Sequence, residues 1–63
     1  MCLATVYNKN QEPDSILLQY VSRLEVEGTT ITLTDVMGET RIVEGVIKSV
    51  DLAGSTVIIN CAE

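Results

Sequence analysis

The sequence predicts a small all-β domain, either a barrel or a sandwich, for three reasons. Five segments rich in β-branched or aliphatic residues alternate with turn signals at short intervals. The hydrophobic content of 46% is mostly aliphatic, with two tyrosines and no phenylalanine or tryptophan. A chain of 63 residues forms one domain, expected over residues 1–63, and buries only about 60% of its unfolded surface. We therefore expect part of the aliphatic surface to close a subunit interface.

The N-terminal half is expected to contain a strand, an exposed loop and an interrupted second strand. The loop is polar and holds the only proline, Pro13. After it, Leu17, Val21 and Leu24 fall at helical spacing, whereas Leu24 and Val26 alternate with acidic residues as in a strand. This mixed pattern favours two pieces of strand around a single turn. The predicted elements are a strand at 2–7, a loop at 8–14, a strand at 15–18, a turn at 19–21 and a strand at 22–27.

The C-terminal half predicts three strands joined by short turns. Ile31 and Leu33 alternate with threonines, which predicts a strand with one apolar and one polar face. Gly38 can supply the positive φ of a hairpin turn. Gly45 interrupts the longest run and predicts a bulge or bend, which a small barrel needs in order to curl. The predicted elements are strands at 30–34, 39–50 and 56–61, with hairpin connections at 35–38 and 51–55.

The charge balance disfavours nucleic acid as a partner. Nine acidic residues stand against four basic ones, giving a net charge of −5, and the basic residues are scattered singly. The two tyrosines are the only aromatic residues, so the chain offers few rings on which bases could stack. No apolar stretch is long enough to span a membrane, and the N-terminus lacks the pattern of a signal peptide. We therefore expect a cytoplasmic protein with no membrane partner.

The sequence does not predict an enzyme. It contains no histidine to activate a serine or cysteine nucleophile, no phosphate-binding glycine loop and no CxxC pair. The carboxylates of Asp35, Glu39 and Glu44 are interpreted as solvated side chains, because Ca²⁺ takes 6–8 oxygen ligands from a dedicated loop. Met37, in a predicted hairpin, could be a soft ligand, although such a methionine more often fills a gap or forms a contact surface.

Cys2 is the candidate metal ligand, because without histidine any transition-metal chemistry depends on sulfur. Its thiolate, its own amide nitrogen and the amine of Met1 can form two fused five-membered chelate rings. Such a set of nitrogen and sulfur donors suits a soft, square-planar d8 ion. The alternative is that Cys2 merely packs, since free cysteines are among the most buried residue types.

The second cysteine, Cys61, ends an apolar run and is interpreted as a structural residue at the edge of the final strand. In a reducing compartment both cysteines are expected to be free thiols. A disulfide between Cys2 and Cys61 would require the first and last strands to be neighbours.

Four segments carry a resemblance to a known family: MCLA at 1–4, VSRLEVEG at 21–28, LTDVMGE at 33–39 and DLAGSTVI at 51–58. Together they resemble the CooT-type accessory proteins of carbon monoxide dehydrogenase maturation over essentially the whole chain. The resemblance implies a small SH3-like five-stranded β-barrel that pairs as a homodimer and takes part in nickel supply to that enzyme. It also implies that Cys2 is the metal residue, with two copies holding one Ni(II).

The expected function is thus a non-enzymatic, metallochaperone-like nickel-binding protein, with Met1 and Cys2 as the metal residues. Its expected partners are a second copy and, as client, carbon monoxide dehydrogenase or its nickel-insertion machinery. The residues leave one other interpretation open, a small SH3-like module that binds protein or RNA and holds no metal.

Overall fold

In the computed structural model, which describes residues 3–62, five strands form one closed sheet. A single turn of 3₁₀ helix, Pro13–Ser15, precedes the second strand. The strands are β1 (Ala4–Asn8), β2 (Ile16–Glu27), β3 (Thr30–Asp35), β4 (Thr40–Asp51) and β5 (Thr56–Cys61). The all-β prediction with five strands is confirmed, and the predicted connections at 8–14, 28–29, 35–38 and 51–55 lie where the sequence indicated. No helix of the described residues is long and apolar enough to cross a membrane.

The strands follow one another around the ring in sequence order, each antiparallel to the next. The ring closes between β5 and β1, which are parallel, with Thr5 opposite Thr56 and Asn8 opposite Ile59. Each of the five strands therefore pairs with two others. The two long strands are each paired on one side at a time, because residues 22–27 of β2 pair with β3 alone and residues 46–51 of β4 pair with β5 alone.

The predicted turn at 19–21 is wrong as a break in the second strand. β2 continues through it and exchanges partners there, because Val21 lies opposite both Ala4 of β1 and Asp35 of β3. The chain bends instead at a single residue, Tyr20, which has a φ of 58°. A positive φ is uncommon for a bulky side chain, so the closure of the sheet, rather than local preference, sets this conformation.

The bend predicted at Gly45 is confirmed. β4 pairs with β3 as far as Glu44, opposite Thr30, and pairs with β5 from Gly45, opposite Cys61. A Cβ placed on Gly45 would collide with the carbonyl oxygen of Asn60. Glycine is required here because the backbones of β4 and β5 approach too closely for any side chain.

The core fills the inside of the closed sheet with aliphatic side chains. Ile31 and Leu33 are fully buried, as their alternation with threonines predicted. Half-buried side chains, including those of Ala4 and Cys61, pack around this cluster. The buried hydrophobic residues are Val6, Val21, Ile31, Leu33, Val57 and Ile59.

Candidate functional site

The proposed metal ligands, Met1 and Cys2, lie outside the described residues, so the structure locates only the chain that leads to them. That chain is well anchored. Ala4 lies opposite Val21 of β2 and packs against the core, and the Thr5 amide donates a hydrogen bond to the Ser55 carbonyl oxygen at 3.0 Å. The two candidate residues are therefore joined by one peptide bond, from Cys2 to Leu3, to the described chain at the start of β1.

Two turns border the start of β1. Residues 36–39, between β3 and β4, lie two strands away on one side, since Ala4 pairs with Val21 and Val21 with Asp35. Residues 52–55, between β4 and β5, lie one strand away on the other side, next to Thr5. We call this region, comprising the start of β1, the bend at Tyr20 and these two turns, the N-terminal end.

Side-chain carboxylates fix the shape of both turns. Oδ1 of Asp35 accepts hydrogen bonds from the backbone amides of Met37 and Glu39, both at 2.9 Å. In the other turn, Oδ1 of Asp51 accepts a hydrogen bond from the Gly54 amide at 3.0 Å. The hydrogen bonds that these carboxylate oxygens accept all come from backbone amides of their own turns.

Asp35, Glu39 and Glu44, the three carboxylates considered from the sequence, do not come together as one cation site. Asp35 and Glu39 share a turn at the N-terminal end, whereas Glu44 accepts hydrogen bonds from the hydroxyls of Thr29 and Thr30 at 3.0 and 2.7 Å. Glu44 also lies opposite Thr30, away from that turn. Among residues 3–62, no group of three or more cysteine, aspartate or glutamate side chains is arranged to hold a metal ion.

Cys61 occupies the opposite end of the closed sheet. It lies at the end of β5, half-buried, and packs against the core, which agrees with its predicted structural role. It lines a groove together with Lys9 and Arg41, and the Lys48 ammonium donates to the Lys9 carbonyl oxygen at 3.3 Å. Glu44 lines the same groove, so side chains of both charges lie along it.

The parallel pairing of β1 with β5 excludes a disulfide between the two cysteines of one chain. The first and last strands are neighbours, as such a bond would require, but they run in the same direction. Cys61 is five residues beyond Thr56, the partner of Thr5, which is about 16 Å along a strand. Disulfide-bonded cysteines have Cα atoms within about 7 Å of each other. The one peptide bond between Leu3 and Cys2 cannot close that gap.

Of the apolar side chains exposed at the N-terminal end, the sequence singled out only Met37, whose exposure shows that it does not fill a gap in the fold. Met37 and Leu52, in the two turns, are 85% and 84% exposed, and Tyr20 is 62% exposed. A signal was present in the sequence, because Val36, Met37 and Leu52 interrupt turns otherwise built from aspartate, glycine, serine and other small or polar residues.

The chain belongs to the CooT family of accessory proteins of CO dehydrogenase, whose family model it matches over residues 1–60. The match includes the Met1-Cys2 start. CooT proteins are accessory factors for maturation of that enzyme rather than enzymes, and the family is associated with nickel handling. The chain matches no curated protein and no solved structure.

Proposed function

We propose that this protein is a metallochaperone-like, nickel-binding accessory protein that serves carbon monoxide dehydrogenase maturation in the cytoplasm. Two subunits hold one Ni(II) through the Cys2 thiolates and N-terminal backbone nitrogens, those of the Cys2 amide and the Met1 amine. The observation that carries the proposal is membership of the CooT family over residues 1–60, a range that includes both residues.

The chemistry of the available donors supports this assignment. The sequence has no histidine, and the described thiol, Cys61, belongs to no group of three or more metal-binding side chains among residues 3–62. A soft, square-planar ion needs four donors of suitable type, whereas one N-terminus offers a single thiolate and two nitrogens. Two N-termini supply two thiolates and enough nitrogens. The proposed site is therefore incomplete without a second copy.

The fold supports the same arrangement. β1 is hydrogen-bonded from its first residues. The two residues that carry the proposed donors are therefore attached, through Leu3, to a strand whose position in the fold is fixed. We also propose that the closed sheet is an SH3-like barrel, as the sequence resemblance implies. The core of the described residues consists of aliphatic side chains, which carry no metal-binding atoms, so the proposed metal site is at the surface.

A calorimetric titration with Ni(II) tests the proposal. Cys2→Ser should lose tight binding and keep its fold, because residues at a chain terminus make few contacts. Cys61→Ser is the matched control, since it also removes a thiol, and it should bind nickel nearly as the native protein does. Tight binding that survives in Cys2→Ser and disappears in Cys61→Ser would place the site in the groove at the opposite end. No stoichiometric uptake by the native protein would favour the module without metal.

A further inference from the structure

The first part of β4 is paired on one side only. Residues 40–44 lie opposite β3, and the pairing with β5 begins at Gly45. The Gly45 amide donates to the Thr29 carbonyl oxygen at 2.8 Å. At the other end of the ladder, the Asp35 amide donates to the Glu39 carbonyl oxygen at 2.9 Å. Hydrogen-bonded pairs alternate along an antiparallel ladder, so alternate residues of β4 point their backbone groups away from β3. These residues are Thr40, Ile42 and Glu44.

The chain itself uses one group of this free edge. The Ala62 amide donates to the Glu44 carbonyl oxygen at 2.8 Å, as the alternation requires. Within residues 3–62, no other backbone hydrogen bond reaches Thr40 or Ile42 from this side. An unpaired strand edge of this kind can bind an extended chain through backbone hydrogen bonds. The amides and carbonyls of Thr40 and Ile42 are therefore available to an added strand.

A groove runs along this edge. Its volume is about 710 Å³, and its lining comes from residues 41–44 of β4, the end of β1, the start of β2 and the end of β5. Arg41 lies opposite the buried Leu33, so its side chain is on the inward face of β4. Its guanidinium donates to the Leu17 carbonyl oxygen at 2.8 Å and thus reaches across the groove from β4 to β2.

Basic side chains predominate beside the groove. Lys9 and Arg41 line it, and the Lys48 ammonium donates to the Lys9 carbonyl oxygen at 3.3 Å. Glu44 is the one acidic side chain among the described lining residues, and its carboxylate oxygens accept hydrogen bonds from two threonine hydroxyls at 3.0 and 2.7 Å. Three of the four basic residues of a chain with net charge −5 therefore lie at this groove, against one described carboxylate.

We propose that the free edge of β4 binds an extended, acidic segment of another protein, which adds to the sheet as a strand beside residues 40–44. These residues offer about 14 Å of edge. Backbone hydrogen bonds to Thr40 and Ile42 hold the segment, and carboxylates on its alternate residues face Arg41 and Lys9. The contact does not depend on the proposed nickel site, which is at the other end of the molecule.

The distribution of charge selects an acidic segment as the occupant. Residues 22–27 of β2 also pair on one side only, but they include Glu25 and Glu27, whose charge repels such a segment. A second copy of the chain, added here through its own β4, would bring two Arg41 side chains into one groove. Like charges close together disfavour that pairing.

A ¹H–¹⁵N NMR titration of the metal-free, full-length chain with three synthetic peptides tests the proposal. The acidic peptide, acetyl-Glu-Val-Glu-Val-Glu-amide, should give saturable shifts confined to Lys9, residues 40–44 and Cys61. The peptide with lysine in place of each glutamate is the charge control. The acidic peptide with N-methylated backbone amides is the strand control, because it keeps the side chains and loses the donors. Both controls should bind about 10-fold more weakly.

Three results with these peptides would overturn the proposal. The first is no saturable shift with the acidic peptide, and the second is shifts centred on residues 22–27. The third is binding of either control peptide as tight as that of the acidic peptide, which would exclude a role for charge or for strand addition.

A matched pair of variants tests the part played by Arg41. Arg41→Gln should weaken binding of the acidic peptide about 10-fold, because a charged hydrogen-bond donor is lost. Glutamine can still donate to the Leu17 carbonyl oxygen. Arg23→Gln is the control, since it removes the guanidinium that pairs with Glu25 at 3.0 Å, away from the groove. It should bind the peptide as the native chain does. Equal weakening in the two variants would mean that net charge alone attracts the peptide, against the proposed site.

Discussion

At the scale of single residues, the function proposed here depends on one cysteine and the backbone atoms beside it. Nothing in the fold has to place the donors of one chain relative to one another, because the proposed chelate rings are closed by the covalent chain. Leu3 joins them to β1, whose first residues are bonded to β2 and to the turn at 52–55.

The free amine of Met1 provides the first prediction at this scale. Fusing a Gly-Ser dipeptide before Met1 converts the amine to an amide and leaves the Cys2 thiol intact. Nickel affinity, measured by calorimetry, should fall at least 10-fold, because an amine that binds in its neutral form is replaced by an amide whose proton is far less acidic. The same dipeptide placed after Glu63 is the control. Identical isotherms for the two fusions would mean that the terminal amine is not a ligand.

Single residues differ in how far the sequence alone could predict them. The burial of Ile31 and Leu33 was predictable, because alternation fixes which side chains share a face. The positive φ of Tyr20 was not, since nothing local favours it and only closure of the sheet requires it. The proposed ligands, Met1 and Cys2, came from donor chemistry and the sequence resemblance, and their placement remains a proposal because they precede the described residues.

At the scale of elements, the two long strands make the closed sheet possible by changing partners part-way. β2 does so at Val21 and β4 between Glu44 and Gly45. The first change was indicated by the mixed periodicity that predicted an interruption at 19–21, and the second by a glycine, which marks a close approach of two backbones. The parallel pairing of β5 with β1 had no such signal, since periodicity identifies strands but not their partners.

Gly45→Ala tests this account of β4. The added Cβ would meet backbone atoms of Asn60 and Cys61, which cannot move without disturbing the pairing with β5. We expect the free energy of unfolding, measured with urea, to fall by about 3 kcal/mol. Gly28→Ala is the control, because its Cβ would meet no atom within 4 Å and only its φ of 65° is unfavourable, at about 1 kcal/mol. Equal losses in the two variants would contradict a packing role for Gly45.

At the scale of the whole molecule, the direction of β1 relative to β5 gives the protein two chemically different ends. The N-terminal end combines the start of β1 with the exposed apolar side chains of Met37 and Leu52. The opposite end combines Cys61 with a groove that Lys9, Arg41 and Glu44 also line.

These two ends allow one measurement to test the central claim, a ¹H–¹⁵N NMR titration of the native protein with Ni(II). A site of two thiolates and two nitrogens is square planar, so its nickel is low-spin and diamagnetic. We predict sharp resonances, with shifts that saturate at half an ion per chain and are confined to Leu3, Ala4 and the turns at 36–39 and 52–55. Paramagnetic broadening, or shifts centred on Lys9, Arg41 and Cys61, would contradict a nickel site built from the N-termini.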